Sequence, residues 1–304
     1  MNSNKMRGLR RIPVGGSGPE DVVFEPSGHV LTGLRDEGRL VRVDPASGEV
    51  SKVAELGGMP LGLEWMPDGR LLVCNAKLGP QLVDVTSGDV KPLPVKGIQV
   101  HLANNAHALP DGTVFLSDSS SAYPLEEYQK DIVEDTASGR LLRIDPDGQG
   151  HVLKDGLSFA NGVVVLEDQG LVLVAETAKC RIHAVPLAGG AARVWAKTPG
   201  HPDNLALDAD GQVWAAMPSL ESATLAKLHA SPLFLRKIAI RLPEALQPKP
   251  ELCCRITQFG PDGTLRNIFD GDTDVYSFAT SMRRGPGVMA MGSIEHDAIG
   301  LFEA

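Results

Sequence analysis

A glycine-centred turn signal recurs along the chain at a nearly regular spacing. The turns combine Pro, Ser, Asp, Gln and Gly, and each lies between two short apolar runs. The glycines that mark them are Gly28, Gly69, Gly112, Gly170, Gly211 and Gly287. An apolar run, a glycine turn and a second apolar run are typical of a β-hairpin. The chain is therefore predicted to contain six hairpins in series.

The spacing of these glycines predicts a β-propeller. Successive glycines are 41, 43, 58, 41 and 76 residues apart, and propeller blades repeat about every 40–50 residues. Further apolar runs follow in the same register at 38–45 and 139–146, which gives four antiparallel strands per repeat. We therefore predict an all-β fold, a six-bladed β-propeller that residues 1–304 form as one domain. We expect residues 10–14 to close the ring as the outer strand of the last blade.

The two longer intervals contain insertions at about 119–138 and 218–252. The first is rich in acidic residues and is predicted to be a polar loop over one face. The second has Leu225, Leu228 and Phe234 at mixed spacing, which predicts one or two short helices. Such helices either cover only their own apolar side or cap the central cavity. In the second case, their apolar character favours a hydrophobic substrate over a free sugar lactone.

Composition excludes several other classes of protein. The 304 residues include 33 Gly and 22 Pro, and so many helix breakers argue against helical bundles and coiled coils. Lys and Arg number 29 against 38 Asp and Glu, for a net charge of -9. No basic cluster is longer than 7–11. A nucleic-acid partner is therefore not expected, because it requires a concentrated positive face.

Localisation and partners are predicted from what the sequence lacks. No segment has the roughly 18 apolar residues of a membrane span, and residues 1–18 lack the apolar stretch of a secretory signal. Cys74, Cys180, Cys253 and Cys254 show no zinc-binding spacing and no clear disulfide pattern. We therefore expect reduced thiols, a cytoplasmic protein, no membrane partner and a small-molecule substrate.

The register of the repeats brings scattered polar residues together. The innermost strand of each blade is expected to begin eight or nine residues before the glycine of its turn. These six positions hold Glu20, Leu61, Asn104, Asn161, Asp203 and Ala279. Since innermost strands converge on the central channel, the polar side chains among them should meet at one end of it.

Four of these six side chains offer oxygen atoms, from two carboxylates and two amides. An all-oxygen set suits a hard cation such as Ca²⁺, and the set contains no His or Cys, which argues against zinc. The alternative is that each residue only caps a turn, as Asn and Asp often do. Asn105 and Asn204 are neighbours of this set and are predicted to bind substrate, to act as secondary ligands or to orient the ligands.

Several short motifs carry a resemblance to a known family. The motifs are GPED at 18–21, PLGL at 60–63, FLSDSS at 115–120, GRLL at 139–142, FANGV at 159–163, VAET at 174–177 and PDN at 202–204. Together they resemble the strictosidine synthase-like branch of the senescence marker protein/gluconolactonase/paraoxonase-type propeller superfamily. The resemblance spans about 18–300.

This resemblance implies a six-bladed propeller with a divalent metal, usually calcium, at the channel mouth. It makes Glu20, Asn104, Asn161 and Asp203 the metal ligands. Metal-using relatives open lactones or hydrolyse esters, whereas plant strictosidine synthases join an amine to an aldehyde with a catalytic Glu in the last blade. The corresponding segment here, 276–282, reads YSFATSM and has no Glu. A hydrolase is therefore favoured over a synthase.

The predicted reaction is calcium-dependent hydrolysis of a lactone or related ester. Asp203 is the first candidate for the base, and His201 and His296 are the other catalytic candidates. Glu176 either lines the cavity as a substrate-binding residue or forms a salt bridge with Arg181. Two alternatives remain open, namely a non-enzymatic propeller with a structural metal and a carbon–nitrogen-bond-forming synthase.

Overall fold

The computed structural model describes residues 3–242 and 251–303. Six antiparallel sheets are arranged around a central channel, so the predicted six-bladed β-propeller is confirmed. Two strands precede the first blade, β1 (Asn4–Lys5) and β2 (Arg10–Pro13). The first four blades contain four strands each, as the register of the repeats predicts.

The strands of these four blades follow the chain. The first two blades are β3 (Pro19–Phe24), β4 (Val30–Leu34), β5 (Arg39–Val43) and β6 (Val50–Glu55), then β7 (Pro60–Trp65), β8 (Leu71–Asn75), β9 (Gly79–Val83) and β10 (Val90–Pro92). The next two are β11 (Ala103–Ala108), β12 (Val114–Asp118), β13 (Gly139–Ile144) and β14 (Gly150–Leu157), then β15 (Ala160–Leu166), β16 (Leu171–Glu176), β17 (Arg181–Pro186) and β18 (Arg193–Lys197).

The fifth blade departs from the simple four-strand pattern, and the sixth takes its fourth strand, β2, from the start of the chain. The fifth contains β19 (Gly200–His201), β20 (Leu205–Leu207), β21 (Val213–Leu220), β22 (Leu252–Phe259) and β23 (Leu265–Asp270). The sixth contains β24 (Ala279–Gly285), β25 (Val288–Ser293) and β26 (Ala298–Glu303). In the fifth blade the innermost strand is split into β19 and β20, and both halves pair with β21.

The N-terminal strand closes the ring. β2 pairs antiparallel with β26, with Arg10 opposite Leu301, and this confirms the predicted closure. Ile12 in β2 is buried among side chains of the first and last blades. β1 was not predicted; it pairs in parallel with β23 and extends the fifth blade.

The core is divided among the contacts between neighbouring blades. Each of six apolar clusters joins two adjacent blades, and together they cover all six contacts of the ring. The cluster between the first two blades, for example, packs Leu31 and Leu40 against Leu63 and Val73. Truncating such a buried Leu to Ala costs about 2–5 kcal/mol. Packing between blades therefore sets how closely the innermost strands approach one another.

Every innermost strand is irregular where the channel site was predicted. The pairing register shifts within β3, β7, β11, β15 and β24, near their first residues. In the fifth blade the gap between β19 and β20 lies at the same place. Such bulges redirect side chains beside active sites. Gly162 permits this convergence, because a Cβ there would lie 2.2 Å from the backbone nitrogen of Leu205.

Within the described residues, the two insertions contain three short α-helices. α1 (Tyr128–Glu134) follows a 3₁₀ turn (Leu125–Glu127), whereas α2 (Ala223–His229) and α3 (Leu233–Ala239) form the second insertion. The prediction of a polar loop for the first insertion was wrong. Leu125, Ile132 and Val133 line a cavity together with Glu126 and Glu127. Asp131 is buried and accepts a hydrogen bond from Ser120, so the segment is a helix packed on the propeller and not a polar loop.

The second insertion agrees with the predicted short helices. Ser222 caps α2 by accepting a hydrogen bond from the backbone N–H of Leu225, at 3.1 Å. The rest of this insertion, 243–250, lies outside the described residues. The described helices, which also include 3₁₀ turns at Glu167–Gln169 and Thr177–Lys179, are all too short or too polar to cross a bilayer.

Candidate metal centre and active-site cavity

A cavity of about 360 Å³ opens at the end of the channel where the innermost strands begin. Its floor contains Glu20, Asn104, Asn161 and Asp203, from four different blades, together with Leu61 and Thr280. The structure therefore brings together all four residues that were predicted as metal ligands. Ala279 does not line the cavity, and its neighbours Phe278 and Thr280 do.

Three floor oxygens are buried without a hydrogen-bond partner. They are Oε2 of Glu20, Oδ1 of Asn104 and Oδ1 of Asn161, and each of these residues is only 3% exposed. Buried polar atoms in native proteins are nearly always paired, and leaving one unpaired costs about 1–3 kcal/mol. Three such oxygens from three blades therefore fit a positively charged partner.

The charges at the floor point in the same direction. Burial, followed by the nearby Asp203 and Asp21 carboxylates, raises the pKa of Glu20 well above its usual value. Burial also raises the pKa of Asp203 to about 7, although a hydrogen bond from Asn161 opposes the shift. Two carboxylates that resist ionisation side by side are stabilised as anions by a cation between them.

The donor set fits calcium better than a transition metal. Two carboxylates and two amide carbonyls supply only oxygen, as Ca²⁺ prefers. Among residues 3–242 and 251–303, no group of three or more His, Cys, Asp or Glu side chains could hold a metal ion. A site at this floor therefore depends on its two asparagines as well as on its acids.

His201 lies on β19 and lines the same cavity. Its Nδ1 is 2.9 Å from the backbone carbonyl oxygen of Thr177. A carbonyl can only accept a hydrogen bond, so Nδ1 carries the proton and Nε2 keeps its lone pair. Burial lowers the pKa of His201 below its ordinary value. The neutral ring is therefore held in a tautomer that can accept a proton at Nε2.

His296 lies outside the cavity lining. Its ring stacks on Tyr276 with centroids 4.6 Å apart. Its Nε2 lies 3.0 Å from the backbone N–H of Ser277, which donates to it, and its Nδ1 is 3.4 Å from Arg11. Both ring nitrogens thus have protein partners, so the geometry does not support the predicted catalytic role.

Glu176 is also outside the cavity lining. Its carboxylate pairs with Arg181 at 2.5 Å and with His183 at 2.7 Å, and it accepts the backbone N–H of Ser158 at 3.0 Å. Burial alone favours the neutral acid, but these hydrogen bonds hold the pKa of Glu176 at about 2. The structure therefore shows the salt bridge to Arg181 and not the predicted contact with substrate.

Asn105 and Asn204 lie behind the floor and do not line the cavity. The Nδ2 of Asn204 donates to Oε1 of Glu20 at 2.9 Å. The Oδ1 of Asn105 accepts the backbone N–H of Val163 at 2.9 Å and so connects the third and fourth blades. The geometry therefore favours a ligand-orienting role for Asn204, whereas Asn105 bonds to the backbone of a neighbouring blade.

Sequence comparison assigns the family. Residues 36–231 match the family described as SMP-30/Gluconolactonase/LRE-like region. The chain belongs to the SMP-30/gluconolactonase family. Residues 2–43 also match the description strictosidine synthase-like, N-terminal, so the resemblance predicted from the motifs is confirmed.

Curated relatives carry strictosidine synthase-like and membrane-associated names. Strictosidine synthase-like protein 13 of Arabidopsis thaliana is 31% identical over 260 residues, which are 74% of this chain and 64% of that protein. The chain thus spans somewhat less than two thirds of that relative. The adipocyte plasma membrane-associated protein of Rattus norvegicus is 30% identical, and the match covers 91% of this chain and 81% of that protein.

Solved structures share the fold at low sequence identity. A gluconolactonase from Xanthomonas campestris superposes with a TM-score of 0.70 at 15% identity, over 98% of this chain and 91% of that one. A calcium-binding regucalcin from Agrobacterium tumefaciens gives 0.67 at 15% identity, over 99% and 95%. At these identities the likeness establishes the propeller architecture.

Three aromatic residues line this SMP-30/gluconolactonase-type cavity, and none of them was predicted as a site residue. Phe159, Phe278 and Tyr128 line it together with Leu125 and Leu225. Phe159 and Phe278 both have left-handed backbones, with φ of 63° and 53°. Such strained residues cluster at functional sites. Both stand just before the innermost strand of a blade, and this shared register was a signal that could have found them.

Proposed function

We propose that the protein is a calcium-dependent hydrolase that opens lactones or cleaves related esters with an apolar body. The observation that carries the proposal is the set of three unpaired floor oxygens in one cavity with the proton-accepting His201. Membership of the SMP-30/gluconolactonase family supports it, because the family's propeller is the fold of lactonase-type enzymes.

Glu20, Asn104, Asn161 and Asp203 would hold the cation. When bound, a divalent cation polarises a carbonyl oxygen and stabilises the negative charge that develops there during acyl transfer. Asn204 keeps Glu20 oriented through its hydrogen bond to Oε1. The cavity floor therefore suits a small-molecule substrate that presents one carbonyl group.

His201 would act as the general base. Its Nε2 accepts a proton from the attacking water, while the Thr177 carbonyl keeps the ring in the required tautomer. Asp203 stays the alternative base, and its hydrogen bond from Asn161 and its place among the ligands favour a binding role. The free thiols of all four cysteines support a cytoplasmic location as part of this proposal.

The wall of the cavity favours an apolar substrate body. Phe159, Phe278, Leu125 and Leu225 make one part of the wall apolar, whereas Glu126, Glu127 and Lys130 line another part. A polyhydroxylated sugar lactone would leave the hydroxyl groups that face the apolar part without partners. The substrate class we propose is therefore an alkyl- or aryl-substituted lactone or ester.

The two alternatives make different demands on the site. A carbon–nitrogen-bond-forming synthase of the plant type uses a Glu of the last blade, and no acidic residue of β24–β26 lines the cavity. A structural metal without catalysis would use the same four oxygens but would give no role to the free Nε2 of His201. One experiment can distinguish the hydrolase from both alternatives.

The experiment removes calcium with a chelator and then restores it, while turnover and thermal stability are followed. Substrates are a series of lactones with increasing alkyl substitution, an aryl acetate, and glucono-δ-lactone as the polar member. We expect turnover and Tm to fall together and to recover together, with kcat/KM rising along the alkyl series. Recovery of Tm without turnover on any substrate would establish a structural metal. Amine–aldehyde condensation that persists without metal would establish the synthase.

A further inference from the structure

Helix α3 exposes a cluster of large apolar side chains beside the cavity. Leu233, Phe234, Leu235 and Ile238 are 50%, 62%, 42% and 53% exposed. Single exposed apolar residues are common on protein surfaces, but contiguous ones mark interaction sites. This cluster therefore calls for a partner that covers it.

The same face of α3 is cationic. Phe234, Lys237 and Ile238 follow the i, i+3, i+4 spacing of one helix face, and Arg241 follows two residues after the end of α3. Lys237 and Arg241 are both exposed. Between Glu221 and Glu244 the sequence has no acidic residue, although the whole chain has a net charge of -9. The charge of this segment is thus opposite to that of the rest of the protein.

Apolar and cationic groups on one face point to lipid and not to another protein. The centres of protein–protein interfaces are depleted of Lys. Helices that lie in a bilayer surface combine Phe and Leu with Lys and Arg, because the long cationic side chains reach the anionic headgroups while the apolar groups insert. A second copy of this chain would instead bring Lys237 and Arg241 against like charges.

The orientation of α3 is fixed by internal contacts. Arg236 turns inward, where its guanidinium donates to the backbone oxygens of His229 at 2.6 Å and Glu134 at 2.9 Å. These bonds attach α3 to the ends of α1 and α2, whose side chains line the cavity. Ile240, just after α3, lines it as well. The exposed face and the cavity wall therefore belong to one rigid unit.

We propose that α3 docks the rim of the cavity on an anionic lipid surface. Phe234 and Ile238 insert among the acyl chains, and Lys237 and Arg241 contact the headgroups. The earlier expectation of no membrane partner rested on the lack of a spanning segment, which does not bear on a helix that lies in the interface. Docking places the apolar cavity beside lipid-dissolved molecules and does not depend on which reaction follows.

The test measures co-sedimentation of the full chain with vesicles of phosphatidylcholine, with and without about 30% phosphatidylserine. We expect binding only to the anionic vesicles, and weaker binding as salt rises. Joint replacement by Phe234→Ser and Ile238→Ser should weaken binding by about 30-fold or more. Joint replacement by Lys237→Glu and Arg241→Glu should weaken it by about 10-fold or more.

The matched control replaces exposed apolar residues of outer strands, with Val152→Ser and Val194→Ser, which are 44% and 43% exposed in the wild type. This variant should bind vesicles as the wild type does, and all variants should keep the wild-type Tm. Equal binding to neutral and anionic vesicles, or wild-type binding by both α3 variants, would overturn the proposal. Concentration-dependent dimerisation that Phe234→Ser abolishes, without vesicle binding, would overturn it in favour of self-association.

Discussion

Two buried glutamates of this propeller differ in how the protein stabilises their carboxylates. Glu20, on β3 at the cavity floor, has one oxygen bonded to Asn204 and the other without a partner. Glu176, at the end of β16, is bonded to Arg181, His183 and the N–H of Ser158. The pKa of Glu20 is raised well above its usual value, whereas the pKa of Glu176 is held at about 2.

The comparison separates a carboxylate whose partners all come from the protein from one that keeps an unpaired oxygen. Both residues are nearly inaccessible to solvent, at 3% and 1% exposure, so burial alone does not distinguish them. The two residues are distinguished by the number of hydrogen-bond donors around each carboxylate. We expect substitution of Glu176 to weaken the fold and substitution of Glu20 to weaken binding and catalysis, and four predictions test that difference.

The largest effect is expected for Glu20→Gln. The change removes one of the two ligand charges, so turnover should fall by about 10²–10³-fold, and calcium should no longer raise Tm. Without metal, the variant should be at least as stable as the wild type, because an unpaired buried charge has been removed. Lactonase assays and calorimetry check both parts, and wild-type turnover in Glu20→Gln would contradict the ligand assignment.

The second prediction concerns the proposed base. His201→Gln should lower kcat by about 10²-fold or more while leaving the calcium-dependent rise in Tm unchanged, since His201 is not a ligand. His296→Gln is the matched control and should retain wild-type kcat, because His296 lies outside the cavity. A loss of kcat in His296→Gln with normal kcat in His201→Gln would reverse the assignment.

The third prediction is that Glu176→Gln destabilises the fold by roughly 2–3 kcal/mol at pH 7, with kcat per folded molecule unchanged. Because the folded-state pKa of about 2 lies below the ordinary Glu value near 4.3, this stabilisation is present above about pH 4.3. It is lost as the pH falls toward 2. Urea unfolding at several pH values should therefore show the two proteins converging below pH 4, and a constant difference would exclude this origin.

The smallest effect is expected for Asn204→Ala. Loss of its hydrogen bond to Glu20 should weaken calcium binding by about 10-fold, measured by titration calorimetry. Asn105→Ala is the control, because Asn105 bonds to Val163 and not to a floor residue. That variant should lose about 1–2 kcal/mol of stability with unchanged calcium affinity, and equal effects of the two substitutions on calcium would contradict the orienting role of Asn204.

The periodic glycines predicted the fold because a turn with positive φ is a local requirement that recurs once per blade. Gly28, Gly69 and Gly112 all have φ between 85° and 90°. The floor residues could be found for the same reason, since one register placed Glu20, Asn104, Asn161 and Asp203 at equivalent points. A local sequence pattern therefore predicted both the propeller fold and the place where its innermost strands converge.

Residues whose role depends on contacts between distant segments could not be found this way. Glu176 and His296 are polar residues near strand ends, and only the packing of Arg181, His183 and Tyr276 removes them from the cavity. The role of Thr177 depends on its carbonyl group, which a sequence pattern cannot single out. The helix α1 was not predicted because acidic residues dominate the composition of this short segment.

The pairing of β2 with β26 has a consequence for how the protein is made. It joins Arg10 to Leu301, and closing such a long loop costs roughly 3 kcal/mol more chain entropy than closing a ten-residue hairpin. At about 5–20 residues per second, β2 leaves the ribosome roughly 15–60 seconds before its partner. The cavity floor combines Glu20 of the first blade with Thr280 of the last. It can therefore assemble only after the last blade has been synthesised, so the proposed cation site forms late in folding.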